Sequence, residues 1–174
     1  MAYEIDDSNK FGFDIAYMVY STVYDQWKSL TQPQKNKARR QVEATVNEAG
    51  FRGHSTKLIS EAAWQTVLNE KRGIEPSKGD RIATEHPITF TNISLFILNL
   101  EDKLSYDTYF AVWFNNLITT ITTNAENYRL KDYQKNFKLG IDCWKQMYEN
   151  AGIKLMERPR VMSHDEKREW GLML

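Results

Sequence analysis

The chain has 174 residues, 41% of them apolar and 26% charged, and its 23 Lys and Arg balance 23 Asp and Glu to a formal net charge of zero. That length supports one domain with a packed core. The composition excludes extended disorder, and the charge balance leaves no global field to attract nucleic acid or an anionic membrane. A single cysteine, Cys143, excludes a disulfide framework and a cysteine zinc site and points to a reducing compartment. The chain opens on acidic and polar residues where a secretory signal would be basic and then apolar, and no apolar run approaches the roughly 20 residues that span a bilayer. The expectation is a cytoplasmic protein without a membrane partner. Only 8 glycines and 4 prolines punctuate the sequence, which favours long helices over many short strands.

In chain order, residues 11–29 place Tyr17, Tyr20, Tyr24 and Trp27 three or four apart, the spacing of one helical face. An aromatic stripe of this kind is core or a subunit contact, so a homo-oligomer through helix 11–29 is one expectation. Thr31 caps a second helix with Pro33 in its first turn, ending at Gly50. This helix carries Lys35, Lys37, Arg39 and Arg40, a cluster suited to phosphate contacts or to a solvated face. Ser60 caps a third helix that stops before Gly73, and a loop follows to Gly79.

Asp80–His86 alternates weakly and reads as a short strand ended by Pro87. Two helices follow, over 92–104 and, capped by Ser105, over 106–117. The β-branched run Ile118–Thr123 is the strongest strand signal in the chain. Thr123 and Glu126 form a capping box that starts another helix. From there Leu130, Tyr133, Phe137, Ile141, Trp144 and Tyr148 keep register as far as Gly152, with Gly140 as a candidate interruption. Ser163 and Glu166 make a second capping box for a short terminal helix. The resulting picture is one domain over 1–174, mainly α with a small β element (α+β), with about six to seven helices and two or three short strands. It divides into a helical part over 11–72, a part over 80–153 and a tail with a short helix over 154–174.

The three histidines are His54, in a loop by this reading, His86 at a strand end and His164 in the last helix, and no two share the i, i+4 spacing of a helical metal motif. Glu85 beside His86 supplies the groups that phosphodiester hydrolysis needs, a base for water and an oxygen ligand for a divalent cation. Successive strand residues face opposite ways, so both serve one site only where Pro87 breaks the strand.

Glu85-His86-Pro87 and the run Thr122–Leu130, together with Ser55–Trp64 and Tyr148–Ile153, resemble a loosely defined group of uncharacterised prokaryotic and phage proteins. The pattern of Glu-His and then Glu-Asn is similar in turn to the HNH, or His-Me finger, endonucleases. The resemblance implies a metal-dependent DNA endonuclease in which His86 activates water and Glu85, with Asp80 as a spare carboxylate, holds Mg or Mn. Asn127 or Asn124 orients the histidine or completes the metal shell, and Glu126 and Ser55 are secondary candidates. Lys35, Lys37, Arg39 and Arg40 would then meet the DNA. The chain departs from the compact finger in the long interval between His86 and Asn127. The residues read equally as structural, with Glu126 capping a helix, Asn127 facing solvent and Glu85 and His86 on the surface. The alternative function is a non-catalytic accessory module that binds a protein partner through a helical surface, which the aromatic content and neutral charge suit.

Overall fold

The computed structural model describes residues 7–50 and 54–159. These form seven helices and four strands: α1 (Asp7–Trp27), α2 (Gln32–Glu48), β1 (His54–Ser60), α3 (Glu61–Lys71), β2 (Ile82–Glu85), α4 (Phe90–Leu98), α5 (Tyr106–Asn116), β3 (Ile118–Thr123), α6 (Asn124–Asn136), α7 (Trp144–Asn150) and β4 (Leu155–Glu157). The fold is α+β and mainly helical, as the scarcity of glycine and proline predicts. The helix anticipated from Ser163, with His164 in its first turn, lies outside the described residues.

By their internal contacts the described residues gather into two units, each discontinuous in sequence. One contains the described residues up to His54 with His86–Thr119 and Gln134–Trp144; the other contains Ser55–Glu85, Thr120–Tyr133 and the described residues from Lys145 onward.

The first unit is the helical one. On α1, Phe13, Ala16, Tyr20, Val23 and Trp27 recur at three- and four-residue steps and are buried, one apolar stripe of the helix. Tyr20 stacks on Tyr109 with ring centroids 4.5 Å apart, and Phe13 meets Phe110 edge-on at 5.0 Å. The half-buried Tyr17 and Tyr24 send their hydroxyls to main-chain carbonyls of Leu104 and Leu100, so the aromatic face expected from the sequence is largely inward. Thr31 and Gln34 close a capping box at the start of α2, with Pro33 in the first turn, and Val42 and Val46 are buried. Arg39 pairs with Glu43, donates to Thr91 Oγ1 at 2.6 Å and so ties α2 to α4, while Ser94 donates to the same Glu43 carboxylate at 2.7 Å. α4 begins two residues earlier than expected because Thr89 and Asn92 form a capping box, and it stops at Leu98. The buried Asn92 amide also donates to the carbonyls of Gln134 and Phe137, both at 3.0 Å, capping the last turn of α6.

The second unit carries the sheet, in the order β2-β3-β1-β4. β2 and β3 are antiparallel with Glu85 opposite Thr120 and Ala83 opposite Thr122; β1 and β4 are antiparallel with Ile59 opposite Met156. The sequence reading missed β1 and β4. Lys57 sits at φ 60°, with its N–H bonded to Ser55 Oγ, and this left-handed residue interrupts the alternation that marks a strand. The stretch from Leu130 to Tyr148 also departs from its even register. Gly140 takes φ 86°, the helix stops at Asn136, and Ile141 is left 79% exposed.

At the C-terminal cap of α2, a Cβ on Gly12 of α1 would lie 3.1 Å from Ala49 Cα. A backbone atom cannot swing aside, so Gly12→Ala forces the helices apart at a cost of about 1–3 kcal/mol. Higher helix propensity returns about 1 kcal/mol. The expected outcome is a net loss on the order of 1 kcal/mol, read as a lower midpoint in urea at unchanged slope.

Candidate functional site

A set of polar residues of the second unit, Ser60, Glu85, Thr120, Thr122, Thr123 and Glu126, is buried inside it. Strand alternation and the β2–β3 register put Glu85, Thr120 and Thr122 on one face of the sheet, and all three are buried. Thr120 Oγ1 lies 3.2 Å from Thr56 Oγ1 on β1. Tyr148, buried on α7, donates its hydroxyl to Glu85 Oε2. Burial, and then the Glu85 carboxylate, push the Tyr148 phenol well above its ordinary value, so Tyr148 acts as a neutral donor. Thr122 Oγ1 is buried without a hydrogen-bond partner among the described residues.

At the start of α6 the capping box forms as the sequence predicts. Glu126 Oε2 accepts from Thr123 N–H at 2.9 Å and from Thr123 Oγ1 at 3.1 Å, and Glu126 N–H donates back to Thr123 Oγ1. The same carboxylate oxygen accepts from Ser60 Oγ at 2.5 Å. Ser60 in turn caps α3 by accepting from Ala63 N–H at 3.1 Å. One buried carboxylate therefore joins two helix starts and the end of β1.

The other residues singled out from the sequence are dispersed. Asp80 is exposed and accepts from Ser77 Oγ at 2.6 Å. It precedes β2, whose four residues hold it at least about 10 Å along the chain direction from Glu85, so the two expected metal carboxylates do not converge on one cation. Asn124 is exposed and donates to Lys78 O at 3.1 Å. Asn127 is half-buried, one position past the capping carboxylate, and Ser55 is exposed at the irregularity in β1. Glu85 is buried, not on the surface as the structural alternative had it. Among the described residues no group of three or more His, Cys, Asp or Glu is placed to hold a metal ion.

In the helical unit His86 is half-buried, and its Nδ1 donates to Ile118 O at 3.1 Å while its own carbonyl accepts from Gln134 Nε2 at 2.8 Å. The donating Nδ1 leaves Nε2 as the lone-pair nitrogen of the neutral ring. Burial lowers the imidazole pKa below 6.5, partly offset by the Ile118 carbonyl. His54 stacks on Phe114 with centroids 5.0 Å apart.

The basic cluster on α2 divides by helical phase. Arg39 is committed to Glu43, and Lys35 lies 5.4 Å over the Trp27 ring. Lys37 and Arg40 are exposed and line one groove with Pro33, Asn36, Gln41 and Ala44. Gln41 and Ala44 also line a second groove between α1 and α2, about 460 Å³ in volume, with Met18, Val19, Thr22, Val23 and Thr45. Met18 in this groove is 60% exposed.

Tyr148 has no polar role in the sequence reading, and Ser60 has only that of a cap for α3, not that of a donor to Glu126. Tyr148 looked like one more apolar residue in a helical stripe, and no local pattern announces that a phenol reaches a carboxylate 63 positions away. Comparisons with protein-family models, curated proteins and solved structures find no match to this chain.

Tyr148→Phe strips Glu85 of its phenol donor, and Glu126→Ala leaves Thr123 N–H and Ser60 Oγ without their acceptor. Each should lower unfolding free energy by about 1–3 kcal/mol, measured in urea. The His86 pKa makes a separate prediction. Because the folded value lies below the unfolded 6.5, the unfolded chain binds more protons. The stability due to neutral His86 is full above pH 6.5 and declines as the pH falls toward the folded pKa. Titration of the His86 ring by NMR should give a midpoint below 6.5, and a midpoint at or above it would contradict this burial effect.

Proposed function

We propose that this protein is a non-catalytic interaction module that binds through the open face of the α1–α2 hairpin. The observation that supports this reading most is the groove between the two helices, with the exposed thioether of Met18 beside small and polar residues. Large exposed apolar side chains in a concave helical surface favour a protein occupant. The carboxylates nearest the expected catalytic pattern support the same reading, since Glu85 is engaged by Tyr148 and Glu126 by Ser60 and Thr123. With both cationic side chains of Lys35 and Arg39 drawn inward, only Lys37 and Arg40 of the cluster remain for phosphates, fewer than tight DNA binding through counterion release uses.

A second reading, metal-dependent hydrolysis of DNA, is favoured by one observation. His86 has Nδ1 committed to a main-chain carbonyl and a lowered pKa, which suits Nε2 to take a proton from water. The two are separated by incubating the purified chain with double- and single-stranded DNA in Mg or Mn. Intact DNA and no binding at physiological salt are expected. Metal-dependent cleavage that disappears in His86→Ala, with the thermal transition retained, would overturn the module reading in favour of hydrolysis.

A further inference from the structure

The open face of the hairpin has a charge order that narrows what can cover it. Arg40, Ala44 and Glu48 follow one another at four-residue steps along α2, one stripe of the helix surface. All three are exposed, and Arg40 and Glu48 have no ion-pair partner among the described residues. The stripe therefore reads positive, small, negative, with Lys37 reinforcing the positive end. An acidic peptide or nucleic acid would satisfy Arg40 and Lys37 but would set like charge against Glu48. An occupant carrying the same order in reverse satisfies both ends.

We infer that the occupant is a second copy of this chain, related by a two-fold axis through Ala44. The inference rests on the module reading above and names its partner. Around that axis the α2 helices run antiparallel, Arg40 of each copy meets Glu48 of the other, and the pairs are reciprocal, as an isologous interface requires. The Ala44 methyl lets the backbones approach. Met18 and Thr22 of α1 flank Ala44 in the shared groove, so each copy's Met18 packs against the groove of the other. Phe11, 76% exposed and two turns from Met18 on the same α1 stripe, extends the apolar contact outward. Two hairpins meeting this way make a four-helix bundle.

Light scattering on the full chain should give twice the 20.4 kDa of one copy at concentrations up to about 100 µM, within reach of a micromolar Kd. Arg40→Glu and Glu48→Arg, each with an unchanged circular dichroism spectrum, should weaken self-association about tenfold or more. Mixing the two variants should restore a dimer that holds one of each. Met18→Asp should also yield monomer. A wild-type monomer throughout this range overturns the inference, as does a dimer indifferent to Arg40→Glu. A photo-reactive side chain at Met18 separates self-pairing from binding of a different protein. Adducts of twice the chain mass support self-pairing. A monomeric protein whose Met18 probe captures a different protein overturns self-pairing and leaves the module reading standing, and a monomer with no adduct overturns both.

Discussion

A carboxylate buried away from any cation must be satisfied by donors, and Glu126 sets this condition for the sheet-bearing unit. Its oxygen takes the N–H and hydroxyl of Thr123 and the hydroxyl of Ser60. Those donors are where they are because β3 ends at Thr123 and β1 ends at Ser60. The position is also the first turn of α6, where the helix dipole favours negative charge. Removing the carboxylate would release two helix starts at once, since Ser60 holds α3 through Ala63 N–H. Glu85 obeys the same rule with a different donor, the Tyr148 phenol, so this unit organises its interior around two acids and hydroxyls as well as around Ile59, Leu130 and Ile153.

The helical unit solves its packing by another route. Its interior is aromatic, and the polar ends of several rings reach main-chain groups or side-chain amides, as in Trp27 Nε1 to Asn99 Oδ1 at 3.1 Å, while Tyr109 OH and Trp113 Nε1 are buried without a hydrogen-bond partner among the described residues. Burial pushes the Tyr20 phenol up to about 12, with the Leu104 N–H bond opposing it. Arg39, Glu43, Ser94 and Thr91 form the one charged link between α2 and α4 that the described residues show at this level of burial. What α1 and α2 do not bury is their outer face, and the contrast with the rest of the unit is what makes that face a candidate for recognition.

These two solutions bear on function in opposite directions. Acids that are fully engaged in holding helices stabilise a unit, and they are poorly placed to move between a metal and a substrate. His86 is the exception, because its hydrogen bond orients the ring without using the second nitrogen. The open hairpin face has surplus groups, with apolar and charged side chains that the described residues leave unanswered.

Much of the local architecture was legible in the residues. Caps at Thr31, Ser60, Ser105 and Thr123, the stops at Gly50 and Gly73, and the β-branched strand Ile118–Thr123 all depend on side chains acting on backbone within a few positions, and they stand where sequence chemistry puts them. Glu126 could be read as a cap for the same reason. Its bond to Ser60 could not, and neither could the bond of Tyr148 to Glu85, because partners 66 and 63 residues apart meet only when the sheet has formed. β1 and β4 were hidden because a short strand takes its identity from its neighbour, and Lys57 breaks the one periodic clue. The sequence by itself determined where most helices begin, since capping is local. Only the tertiary structure decided which acids are buried, which cations are already paired and which helical face is left open, since those outcomes depend on what each side chain meets across the fold.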